Sequence, residues 1–96
     1  MKEIIIKLKK GKTESIMKAV IQDGMSATSF SDSSQSKMTY ESMKRNGEKC
    51  LFKDGCIIQF FQGKTEQEII EMAEAQVNQM AKQVGLEVEI TKNEIN

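Results

Sequence analysis

Between Thr65 and Gly85 the sequence TEQEIIEMAEAQVNQMAKQVG spaces its apolar residues with a period that only a helix can use. At about 100° per residue, Ile69, Met80, Ala73, Val84, Val77, Ile70 and Ala81 fall in that angular order inside an arc of roughly 120°. Glu66 alone intrudes on the arc, and it sits in the first turn, where a carboxylate suits the positive end of the helix dipole. Thr65 and Glu68 have the spacing of a capping box, in which each side chain satisfies a free backbone donor. Gly85 stands where a left-handed C-terminal cap is wanted. A helix with one apolar stripe must lie on something, and the rest of the chain reads as a sheet.

Residues 2–9 (KEIIIKLK) alternate, with Ile4, Ile6 and Leu8 on one side and Glu3, Lys7 and Lys9 on the other. This is a half-buried strand, and Ile5 among the polar residues implies that its second face is partly covered. Residues 86–92 (LEVEITK) alternate in the same way, with Leu86, Val88 and Ile90 inward, before a tail at 93–96 expected to fray. Asn46-Gly47 and Asp54-Gly55 are the dipeptides that type I′ hairpin corners demand, because both central positions need positive φ. Taken as two-residue loops they give a meander over 37–45, 48–53 and 56–62. Arg45 then faces Glu48, Met43 faces Cys50, Lys53 faces Cys56, Leu51 faces Ile58 and Cys50 faces Gln59. One face of the meander carries Met43, Cys50, Phe52, Ile57 and Phe61 and belongs under the long helix. The other carries Tyr40, Leu51, Cys56, Ile58 and Phe60 among Lys44, Lys49 and Lys53. In this register the two cysteines leave opposite faces and cannot bond to each other.

Two segments are less determinate. In residues 13–22 (TESIMKAVIQ), Ile16, Met17, Val20 and Ile21 recur at helical spacing, with Thr13 as a cap and Gly24 as a stop, which favours a helix. The alternative is a hairpin turning at Lys10-Gly11, with the segment returning as a strand. Residues 25–36 contain Ser26, Ser29, Ser31, Ser33, Ser34 and Ser36, with only Met25 and Phe30 as anchors, and read as a mobile loop. The expected order is β-α-β-β-β-α-β, or a ferredoxin-like β-α-β-β-α-β if the strand at 37–45 is weak. Both are α+β folds with helices packed on one face of an antiparallel sheet, in a single domain spanning 1–96.

Composition narrows the chemistry. The chain has 96 residues, no histidine and no proline, and 14 basic side chains against 14 acidic ones. Without histidine the commonest general base and metal ligand are missing. The spacing of Cys50 and Cys56 does not match a zinc knuckle, and Gly63-Lys64-Thr65 lacks the glycines of a phosphate loop. Glu71 with Glu74, and Glu87 with Glu89, lie on polar faces with no sheltered pocket to raise a carboxyl pKa. No catalytic residue, metal or cofactor is therefore expected, and a non-enzymatic role is. The apolar run 4–6 is far too short for a leader or a membrane span, so the expected address is the cytoplasm, with no membrane partner.

Charge is uneven, with +5 over residues 1–53 and −5 over 54–96. Together with the second meander face this points to contact with another protein. Tyr40, Lys44, Lys49, Leu51, Lys53, Ile58 and Phe60 would form an apolar patch with a basic border, facing a protein partner or a second copy. The same aromatics and lysines admit single-stranded nucleic acid as the alternative, which overall neutrality disfavours. Small size and lysine and isoleucine usage fit a bacterial or phage accessory protein acting as an inhibitor or regulator.

Overall fold

The computed structural model describes residues 1–95. The elements run β1 (Lys2–Lys10), β2 (Thr13–Gln22), β3 (Met25–Phe30), α1 (Ser33–Arg45), β4 (Cys50–Lys53), β5 (Cys56–Phe60), α2 (Glu66–Val84) and β6 (Glu87–Glu94). The fold is α+β: six antiparallel strands in the order β4-β5-β3-β2-β1-β6, with both helices on one face. The helix α1 covers β3, β4 and β5, and α2 covers β1, β2 and β6.

The long helix forms as its sequence requires. Thr65 accepts from the Glu68 N–H at 3.2 Å and Glu68 accepts from the Thr65 N–H at 3.1 Å, completing the capping box. Gly85 ends the helix at φ 72°. Ile69, Ile70, Val77 and Ala81 are buried, and Ile69 and Ile70 join Ile4, Ala19 and Ile21 in the core, with Phe61, Ala73 and Ile90 packed around it. Met80 and Val84, although inside the apolar arc, lie toward the C-terminal end of the helix and are exposed.

The segment 13–22 is strand β2, so the favoured helix is corrected to the hairpin alternative. Its register with β1 pairs Lys10 with Thr13 across Gly11-Lys12. A strand at the middle of a sheet carries apolar residues on both faces, here Met17, Ala19 and Ile21 on one and Ile16 and Val20 on the other. Such a run lacks clean alternation and imitates a helical period. The signal that decides it is Asp23-Gly24, a second Asp-Gly corner, which joins Gln22 to its partner Met25. This corner also seats α2: Asp23 accepts from the Glu66 N–H at 2.8 Å, and Gly24 exchanges backbone bonds with Phe61 and Lys64 at 2.8 and 2.9 Å.

The serine-rich segment is not a loop. Residues 25–30 are β3, and Asp32 caps α1 by accepting from the Ser34 N–H at 3.0 Å and the Ser34 hydroxyl at 2.7 Å. Residues 37–45, expected as a strand, lie within α1. Its inward stripe is Ser36, Thr39, Tyr40 and Met43, too polar to be recognised as amphipathic, yet Ser36 is 1% exposed and its hydroxyl accepts the Phe30 N–H at 3.0 Å. Asn46-Gly47 is accordingly a helix cap rather than a hairpin. The Gly47 N–H bonds the Lys44 carbonyl at 3.0 Å and the Glu48 N–H the Met43 carbonyl at 3.1 Å, the paired bonds of a Schellman motif. Arg45 therefore does not face Glu48, nor Met43 Cys50.

The Asp54-Gly55 corner is as expected, with φ of 53° and 76°, and Cys50, Leu51, Phe52 and Lys53 pair with Gln59, Ile58, Ile57 and Cys56. The last strand runs further than expected: Asn93 and Glu94 pair with Glu3 and Lys2, while Asn96 lies outside the described residues.

Two outcomes follow for stability. Ser36→Ala strips the Phe30 N–H of its buried acceptor and lowers unfolding free energy by about 1–3 kcal/mol, whereas Ser33→Ala, at an exposed position, changes it little; urea denaturation of both measures the difference. Asp32 is held below the ordinary value of 3.8 by the Ser34 hydroxyl and N–H, and Glu68 below 4.5 by the Thr65 N–H and hydroxyl. The unfolded chain then binds more protons in acid, so stability from these groups is complete above their ordinary values and is lost as pH falls through the lower native ones. The denaturation midpoint should decline below about pH 4.5, and Asp32→Asn, which keeps a capping side chain, should flatten the decline.

Candidate functional site: the uncovered sheet face

Register assigns every strand residue to a face. Opposite the helices, Asn93, Glu3, Val20, Ala27, Ile58 and Leu51 form one row across all six strands. The adjacent row contains Gln22, Met25 and Phe60. From β2 to the β4 edge this makes a continuous apolar surface of Val20, Ala27, Ile58 and Leu51, with Met25 and Phe60 beside it. Leu51 is 54% and Phe60 47% exposed, against 2% for Ile57 on the helix side of the same hairpin.

The charges around the surface are arranged unequally. Toward β1, Glu3 and Lys18 form an ion pair at 3.0 Å, and the Lys18 contact holds the Glu3 carboxyl below its usual value. Toward β6, Glu87 and Glu89 stand opposite Lys9 and Lys7, so that border is balanced. At the β4 edge Lys53 shares the Leu51 side of the strand, and Lys49, just before the strand, continues the alternation. No acidic cross-strand partner offsets these two lysines: Lys53 is paired with Cys56, and the Lys49 carbonyl accepts from the Phe60 N–H at 3.4 Å. The uncompensated charge on this face is therefore basic and lies beside Leu51 and Phe60.

Of the residues expected here, Lys49, Leu51, Lys53, Ile58 and Phe60 come together on the open face. Tyr40 and Lys44 do not, because they belong to α1. The Tyr40 ring packs on Phe52 at 5.3 Å between centroids, on the helix side of the sheet. In their place the face gains Val20, Met25 and Ala27 from β2 and β3, strands whose sequences suggest a helix and a loop. The Asp23-Gly24 corner carried that information.

The helix side holds a second concavity. The two helices stand apart, leaving a groove of about 360 Å³. Its floor is Ala19, Ser26, Thr28, Ile57 and Gln59, and its walls include Thr39 and Met43 of α1 and Ala73, Gln76 and Val77 of α2. Small side chains on β2 and β3 create the depth.

Among the described residues no group of three or more His, Cys, Asp or Glu is arranged to hold a metal ion, and no helix is long and apolar enough to cross a membrane. Comparison of the chain with protein families, curated proteins and solved structures finds no match.

The two thiols report directly on the faces. Cys56 is half-buried on the open side, and Cys50 is buried, its thiol toward the Glu48 carbonyl at 3.7 Å. N-ethylmaleimide should modify Cys56 in the native protein and Cys50 only on unfolding, giving two separated additions by mass spectrometry.

Proposed function

We infer that this chain is a non-enzymatic binding protein that docks another protein on the open sheet face, with Leu51, Ile58 and Phe60 as apolar anchors and Lys49 and Lys53 on the rim. The observation that carries this reading is the exposure of Leu51 and Phe60 within a continuous apolar surface that neither helix covers. Contiguous apolar surface rimmed by charge is what protein interfaces present before association. The lysine border favours a partner whose corresponding rim is acidic, which steers encounter and sets orientation. A chain that acts by occupying such a surface works as a regulator or inhibitor, and its size and composition fit a bacterial or phage accessory protein.

Single-stranded nucleic acid is the weaker reading. Stacking recognition needs aromatic platforms, and with Tyr40 packed on Phe52 the open face keeps Phe60 alone among its strand residues.

The test uses Leu51→Glu with Phe60→Glu. Because both side chains are exposed, the double variant should keep the wild-type denaturation midpoint. It should lose association by at least about tenfold, as expected when central anchors are replaced by charge. The readouts are solution mass by light scattering and, for partners retained from lysate on immobilised protein, the signal lost specifically with this variant. A wild-type monomer whose captured proteins are unchanged by the double substitution would overturn the reading. Tight oligonucleotide binding that collapses with added salt and with Lys49→Glu would replace it.

A further inference from the structure

We propose that the groove between α1 and α2 binds a small apolar molecule that carries a hydrogen-bond donor, a hydroxyl or amine, and that it discriminates against acids. This site lies on the other side of the sheet from the proposed docking face, and its failure leaves that reading untouched.

The volume, about 360 Å³, is within the range of ligand pockets. Met17, Phe30, Met43, Phe61, Met72 and Ala73 supply apolar walls that are half-buried or exposed, over a floor of buried Ala19 and Ile57, as such pockets require. Polar groups converge at one end of the groove, where Ser26 and Gln59 on the floor meet the exposed Glu48 at the rim. Ser26 and Gln59 are cross-strand partners, and Ser26 is 5% exposed. The Gln59 Nε2 donates to the Glu48 Oε1 at 3.3 Å. A carboxylate can only accept, so this bond fixes the amide orientation and leaves the Gln59 Oε1 as an acceptor. The second Glu48 oxygen is likewise an acceptor, and the Ser26 hydroxyl can serve as one. The Gln59 and Glu48 oxygens can only accept, whereas the Ser26 hydroxyl can accept or donate, so the balance of this cluster suits a donor from the ligand.

The groove lining contains Glu48 and no lysine or arginine. A carboxylate, sulfonate or phosphate head group would meet a like charge and no counter-ion, which costs affinity. The groove therefore selects an alcohol or amine on an apolar body.

The probe is N-phenyl-1-naphthylamine, an uncharged aromatic body with one N–H donor, whose fluorescence rises in apolar surroundings. Wild-type protein should show saturable enhancement at a stoichiometry of one, with the anionic probe 1-anilinonaphthalene-8-sulfonate binding at least about tenfold more weakly. Ala19→Leu with Ala73→Leu fills the groove and should abolish the enhancement, while Leu51→Glu with Phe60→Glu should leave it unchanged. If the filled variant does not fold, methyl NMR on the wild type decides. Shifts on adding the probe should fall on Ala19, Ile57 and Val77, and not on Val20, Leu51 and Ile58. Absence of saturable binding, preference for the sulfonate, or perturbation of the open-face methyls instead of the groove would each overturn the proposal.

Discussion

Both helices pack on the same face of a six-stranded sheet, and the rest of the molecule depends on that one-sided cover. An antiparallel sheet tolerates it only if one face can be wet or can be covered by something else. On the covered side, Ile4, Ile6, Ile21 and Ile57 are buried nearly completely. On the other, β1 and β6 present charges of both signs, with Ile5 half-buried among them. From β2 to β4 the charges give way to Val20, Ala27, Ile58, Leu51 and Phe60. The open face is thus divided between a part suited to water and a part suited to contact, along the line of the Glu3–Lys18 ion pair.

The same constraint shapes the helix side. Two helices laid on six strands either touch each other over the middle of the sheet or leave that middle bare. Here α1 sits over β3, β4 and β5, and α2 over β1, β2 and β6. Ala19, Ser26 and Thr28 lie at the division, and their short side chains do not reach up to close it. Larger residues at these positions would have merged the two halves of the core. Their smallness gives the groove its floor, while Ile4, Ile21, Ile69 and Ile70 supply the packing that holds α2 down.

Legibility in the sequence followed how much each element announces by itself. The helix α2 carries its stripe, capping box and terminal glycine within a single stretch, and the Asp54-Gly55 hairpin fixes its own register, so both could be read directly. So could the separation of Cys50 from Cys56. The segments β2, β3 and α1 depend on their surroundings. Flanked by strands on both sides, β2 loses its alternation, and α1 turns Ser36, Thr39 and Tyr40 toward the sheet where a readable helix would place leucines. Asn46-Gly47 shows the ambiguity most sharply, because positive φ serves a Schellman cap as well as a type I′ corner. Only the preceding residues decide, and the Asp32–Ser34 cap that opens α1 lies inside a serine-rich stretch that resembles a loop.

The candidate surface depends little on what 25–45 folds into, for a physical reason. Which face a strand residue occupies is set by parity within its own hairpin, so Leu51, Lys53, Ile58 and Phe60 kept their common side whatever their neighbours became. Tyr40 and Lys44 were tied to that face only through the supposed corner at Asn46-Gly47, and they left it when the corner proved to be a cap. Their places went to Val20, Ala27 and Met25, which are apolar and uncharged. The exchange moves the centre of the surface from the edge hairpin toward the middle of the sheet and leaves lysines without an acidic cross-strand partner at the β4 border. A surface built this way is asymmetric, apolar over β2, β3 and β5 and basic at β4, and that asymmetry gives a partner a single favoured orientation.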